Sequence, residues 1–115
     1  MATKNEVIAG DYEGKQITST LGIVTIVTGL FKTIELDKTT VKEYEIMDEE
    51  SKKSATSAVG RAFVGGAILG PAGLLAGLSA KSKRTHVIAI EFKDGKRSLI
   101  QLNQKVYDAF MKKMF

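Results

Sequence analysis

Thr85-His86-Val87-Ile88-Ala89-Ile90-Glu91-Phe92, then Lys93-Asp94-Gly95-Lys96, then Arg97-Ser98-Leu99-Ile100-Gln101-Leu102 is the stretch from which the fold is read. Two runs rich in β-branched and apolar residues flank an Asp-Gly turn signal, a pattern that predicts a β-hairpin. Side-chain parity chooses its register. A two-residue turn would put Ile88, Ile90 and Phe92 on the face of Arg97, Leu99 and Gln101. A three-residue loop, with Gly95 left-handed in a bulge, pairs Ile90 with Ser98 and Ile88 with Ile100 instead. That register gathers Ile88, Ile90, Phe92, Ile100 and Leu102 on one apolar face and sets Glu91 near Arg97 on the other. It is the register expected here.

Downstream, Asn103 reads as the N-cap of a closing amphipathic helix, because Val106, Tyr107, Phe110, Met111 and Met114 follow helical spacing. Lys112 and Lys113 fall in its last turn, where cations complement the helix dipole. The aromatic and Met side chains of this helix read as packing residues rather than a ligand box.

Upstream of the hairpin lies an uncharged stretch from Ala62 to Ala80, inside a glycine-rich insertion at residues 58–80 that is expected to be helical. Gly66 and Gly70, like Gly73 and Gly77, stand four apart, which on a helix opens a groove for close approach of a second helix. Leu74 and Leu75 lie between them, Arg61 precedes the run, and Lys81, Lys83 and Arg84 follow it. Its length of roughly 20 residues is marginal for a bilayer crossing. Pro71 and the many glycines argue against one straight span. Three readings stay open: packing against the chain's own sheet, self-association through the glycine face, and insertion in a membrane. A phosphate loop is disfavoured, since Gly60 to Gly66 lacks the Lys and Ser or Thr that would hold phosphate and metal.

In the N-terminal part, Leu21 to Leu36 is dominated by β-branched residues, with Gly22 and Gly29 as points of a turn or bulge. Asp37-Lys38-Thr39 reads as a turn and Thr40 to Met47 as a further strand, with Lys42, Glu43 and Glu45 on the solvated side of a one-sided sheet. A weaker strand is expected around Gly14 to Ser19. Asp48 to Ser54 reads as a polar linker or a helix start.

The 115 residues suffice for one domain, and 43% hydrophobic with 26% charged residues is ordinary globular composition. The absence of cysteine excludes a disulfide framework, a thiolate zinc site and a cysteine nucleophile. The net charge of +4 hides an asymmetry: residues 1–57 carry seven Lys against ten acids, residues 58–115 ten basic residues against three acids. Nucleic acid is a disfavoured partner, because no recognition motif accompanies the basic part. Met1 to Glu6 lacks the apolar run of a signal peptide, so a cytoplasmic location is expected. His86 is read as a solvated strand-edge residue, and Asp48, Glu49 and Glu50 as a solvated turn without the alternating ligands of a calcium site. No nucleophile, base and orienting group can be assembled, so enzyme activity, a metal and a cofactor are not expected.

The hairpin Val87 to Ile100, the closing helix at residues 103–115 and the order of strands resemble small bacterial pleckstrin-homology-like domains. Thr40-Val41-Lys42-Glu43-Tyr44-Glu45, followed by Gly60 to Pro71 and this hairpin, is also similar to small proteins of Gram-positive bacteria and their phages. The resemblance covers roughly residues 20–115 and implies an α+β domain with a bent, mainly antiparallel sheet closed by the C-terminal helix and used as a binding platform. The glycine-rich insertion departs from the family, and no lipid-binding residues carry over. Two functions follow as expectations. One is a non-catalytic module that binds a protein partner, such as a host protein if the chain is phage-encoded, or its own copies through Gly66, Gly70, Gly73, Gly77, Leu74 and Leu75. The other is a peripheral membrane protein held by residues 62–80, with Lys81, Lys83 and Arg84 against anionic lipid.

Overall fold

The hairpin forms in the register that parity selects. In a computed structural model, which describes residues 5–47, 57–64 and 85–115, Ile88 faces Ile100, Ile90 faces Ser98 and Glu91 faces Arg97. Gly95 takes φ +95°, and the loop closes by bonds from Phe92 N to Lys96 O and from Gly95 N to Phe92 O, at 2.8 and 2.9 Å.

Around it the chain runs β1 (Glu6–Gly10), β2 (Ile17–Thr20), β3 (Ile23–Gly29), β4 (Lys32–Glu35), β5 (Val41–Ile46), α1 (Ala58–Val64), β6 (His86–Phe92), β7 (Arg97–Leu102) and α2 (Gln104–Met114). The strands form two antiparallel sheets, β1-β7-β6-β5 and β2-β3-β4. An isolated bridge between Glu6 and Gln16, flanked by bonds from Ile17 N to Asn5 O and from Val7 N to Lys15 O, both 2.9 Å, joins them at one corner. Strand β1, absent from the sequence reading, is thus an edge of the larger sheet.

The inner core lies between the sheets and under α2. Ile88, Ile90, Phe92, Ile100 and Leu102 supply it from the hairpin; Ile17, Val24, Ile26 and Leu36 come from the smaller sheet and its exit, and Val106 and Phe110 from the helix. Asn103 caps α2 as expected, its Oδ1 accepting from Val106 N at 2.9 Å, and its own N–H donates to Asn5 Oδ1 at 2.8 Å. Tyr44 meets Phe110 edge to face at 5.4 Å, which ties β5 to the helix.

A second apolar layer covers the opposite face of the four-stranded sheet, so that sheet is not one-sided as the alternation in β5 suggested. Ala9, Met47, Val87, Ala89 and Leu99 lie there beneath Val59 and Phe63 of α1. Strand β1 serves both layers. Val7 points into the inner core and Ala9, two residues on, into the outer layer, because a register shift between them adds a residue against β7. In β5 a shift between Val41 and Glu43 turns Tyr44 and Ile46 inward and leaves Glu45 outward, toward α1.

Candidate functional site

Helix α1 is the described end of the glycine-rich insertion, and its mooring is built from three parts. Ser57 is its N-cap: Ser57 Oγ accepts from Gly60 N at 2.9 Å. The hydroxyl and the backbone N–H of Ser57 in turn donate to Glu45 Oε1, at 2.6 and 2.8 Å, so a carboxylate on β5 holds the cap. Val59 and Phe63 then pack on Ala9, Ala89 and Leu99, where two alanines leave room for the helix. Gly10, at φ +84°, sits under this contact; a Cβ there would lie 2.5 Å from Arg97 O and 3.2 Å from the Phe63 ring. The neighbouring Asp11 locks to β7, its Oδ2 accepting from Arg97 N at 2.9 Å and its carbonyl from Ser98 Oγ at 2.6 Å.

Gly66, Gly70, Gly73, Gly77, Leu74, Leu75, Lys81, Lys83 and Arg84 lie outside the described residues, as do Asp48, Glu49 and Glu50. What the structure describes is the point of departure. Residues 65–80 follow in sequence from a helix fixed by a cross-strand cap and two buried side chains on the outer face of the sheet.

His86 opens β6 and is half-exposed, near the solvated edge position expected, but its ring has partners. Its ring stacks on Tyr107 at 3.8 Å with an interplanar angle of 11°, and its Nε2–H donates to Gln104 Oε1 at 2.8 Å. Gln104 Nε2 donates onward to Asp108 Oδ1 at 2.9 Å. Burial first, then the Asp108 charge, pushes the Tyr107 hydroxyl above its ordinary pKa. The cluster joins the start of β6 to the first turns of α2; the stacking of Tyr107 on His86 links residues far apart in the chain and is not visible as a local pattern in sequence.

A cavity of about 280 Å³ opens between Tyr12, Ile34, Thr39, Thr40, Phe92, Lys93 and Asp94. Tyr12 and Phe92 wall it edge to face, their centroids 5.8 Å apart. Its rim is occupied by local bonds: Asp94 Oδ2 pairs with Lys96 Nζ at 3.2 Å, and Lys93 N donates to Thr40 O at 2.9 Å. Backbone and side-chain bonds from Lys96 hold the Asp94 carboxyl below its ordinary pKa. Beside the cavity, the Thr39 hydroxyl and then Glu35 donate to Asp37, whose pKa falls to about 2, and the same bond to Asp37 raises Glu35. Among the described residues, no group of three His, Asp or Glu side chains is placed to hold a metal ion. On the outer face Glu91 is flanked by Arg97 at 3.3 Å and Lys42 at 3.5 Å, a nearly buried acid between two exposed cations.

Two turns of the smaller sheet, beside the expected turn points Gly22 and Gly29, carry exposed apolar side chains. Leu21 between β2 and β3, and Leu30 with Phe31 between β3 and β4, are 97, 91 and 94% exposed. Among the described residues no helix is long and apolar enough to cross a membrane. No family model, curated protein or solved structure matches the chain.

Proposed function

We propose that the chain is a non-catalytic interaction module of pleckstrin-homology-like architecture, which contacts a protein partner or its own copies through the glycine-rich segment. The architecture is supported by the seven strands of the described residues, in two antiparallel sheets, followed by a helix whose Val106 and Phe110 enter the core between them. The observation that carries the functional reading is the mooring of α1. A cap supplied by Glu45 and two side chains seated on Ala9, Ala89 and Leu99 give the uncharged run after Val64 a defined origin on a rigid face. A segment tethered in this way is presented to a partner at lower entropic cost than a free tail. Gly66, Gly70, Gly73 and Gly77 are the contact residues of this reading.

Size-exclusion chromatography with light scattering on the whole chain, alone and after capture of a partner, tests it. Gly70→Leu and Gly73→Leu add bulk to a close-packed face and should lower the assembled mass or release the partner. Unchanged mass, partner retention and melting temperature in both variants would remove the glycine segment from the function.

A further inference from the structure

From Gln16 to Ile34 the chain carries one charged side chain, Lys32, and Lys32 stands directly after the exposed pair Leu30-Phe31. Gly29 and Lys32 pair across this turn, and neither Leu30 nor Phe31 has the positive φ that would restrict the choice of residue. The backbone therefore does not call for these two side chains. The core does not call for them either, since both point almost wholly into solvent. Single exposed apolar residues are ordinary on protein surfaces, but two adjacent large ones at the apex of a two-residue turn form a convex apolar tip.

We propose that the Leu30-Phe31 turn inserts into the interface of an anionic lipid bilayer, with Lys32 and Lys15 at the level of the headgroups. Lys15 belongs to the same end of β3, because the carbonyl of its neighbour Gln16 accepts from Val27 N at 2.9 Å. Both lysines are exposed. The charge pattern selects lipid as the occupant: a protruding apolar pair beside cations, on a sheet whose outward positions include Thr18, Thr20 and Thr33, matches an apolar layer beneath an anionic one. Glu35, the acid of this sheet, pairs with Thr25 at the far end of β4 from the turn. The other exposed turn residue, Leu21, has Ile23 as its nearest exposed apolar neighbour in sequence and lies at the opposite end of β3, roughly 20 Å away. This inference goes beyond the interaction reading and does not use the glycine-rich segment.

The chain contains no tryptophan, so Phe31→Trp and Leu21→Trp each install a single fluorophore in the full chain. With vesicles of mixed phosphatidylcholine and phosphatidylglycerol, the Phe31→Trp emission should shift to the blue and be quenched by brominated lipid. The Leu21→Trp emission should stay unchanged. Leu30→Ser combined with Phe31→Ser should lower vesicle partition at least about ten-fold, and Lys32→Gln by about five-fold on the anionic mixture, with circular dichroism unchanged in both. The proposal is overturned if the Phe31→Trp emission does not respond to vesicles, including vesicles that sediment the chain through another segment. It is equally overturned if the fluorophores at positions 21 and 31 respond alike, or if the shift at 31 follows protein concentration without lipid, which would mark a contact between proteins.

Discussion

The carboxylate of Glu45 accepts both the hydroxyl and the backbone N–H of Ser57, twelve positions along the chain, and so strand β5 supplies half of the cap of helix α1. The arrangement does the work of a capping box, in which a carboxylate three residues into the helix reaches back to the cap, but here the carboxylate comes from the sheet. Ser57→Ala removes the acceptor for Gly60 N and should destabilise the domain by about 1 kcal/mol. Urea unfolding of Ser57→Ala and of the wild type decides the matter, and equal midpoints would show that the cap carries no stability.

Gly10 is a backbone position in the outer layer that leaves no room for a side chain. A methyl group there would meet the carbonyl of Arg97 and the ring of Phe63, at a φ of +84° that L side chains rarely adopt. Gly10→Ala should therefore cost about 2 kcal/mol, the left-handed backbone alone accounting for roughly half or more. A melting temperature within a degree of wild type would contradict this geometry.

Leu21 presents the opposite case. Leu21 and Gly22 both take positive φ, at 52° and 80°, so the β2–β3 connection is a two-residue turn of the type that prefers Asn-Gly. Leu21 is exposed and gains nothing from burial. Leu21→Asn should stabilise the domain by up to about 1 kcal/mol through relief of the left-handed backbone. Thermal denaturation is sufficient, and a lowered melting temperature is the adverse outcome.

The turn before β5 makes a prediction about acid. Asp37 is held at about 2 first by the Thr39 hydroxyl and then by Glu35, against an ordinary value of 3.8. A carboxyl whose folded pKa is depressed contributes stability at pH values above its unfolded pKa, and that contribution is lost as pH falls through the folded value near 2. Glu35, raised from 4.5 by its bond to Asp37, has the reverse sign: its contribution is present when it is protonated and is lost as pH rises through its folded pKa. Thr39→Val should move the Asp37 titration up toward 3.8, followed by carboxyl-carbon NMR, while Thr39→Ser leaves it low. No movement in Thr39→Val would show that the hydroxyl is not the cause.

The hairpin and the last helix were legible because their signals are local. Asp94-Gly95 fixes the loop, parity of Ile88 and Ile100 fixes the register, and Asn103 stands immediately before a helical period. Strand β1 was not legible, since Val7, Ile8 and Ala9 form an apolar run too short to show a period, and the bulge that sends Val7 and Ala9 into different layers is set by pairing with β7. The mooring of α1 escaped for a different reason. Glu45 reads as a solvent-facing strand residue until the bulge in β5 and the position of Ser57 are known, and both are set by tertiary packing. Leu21, Leu30 and Phe31 misled by composition, because apolar residues in a β-branched run are assigned to strands, whereas here they form the turns between them.

The pairing of β1 with β7 joins Glu6 to Gln101, 95 positions apart. On a ribosome delivering about 5–20 residues per second, β1 spends several seconds outside without the strand it pairs with. The β6–β7 hairpin closes through a short loop on a scale of microseconds once both of its strands are free. Within the four-stranded sheet the β6–β7 pair is therefore the first able to close, and β1 completes that sheet. Until it docks, the outer edge of β7 is an open template, and the interval between synthesis of Leu102 and docking of Val7 is when the nascent chain is most exposed to strand exchange with a neighbour.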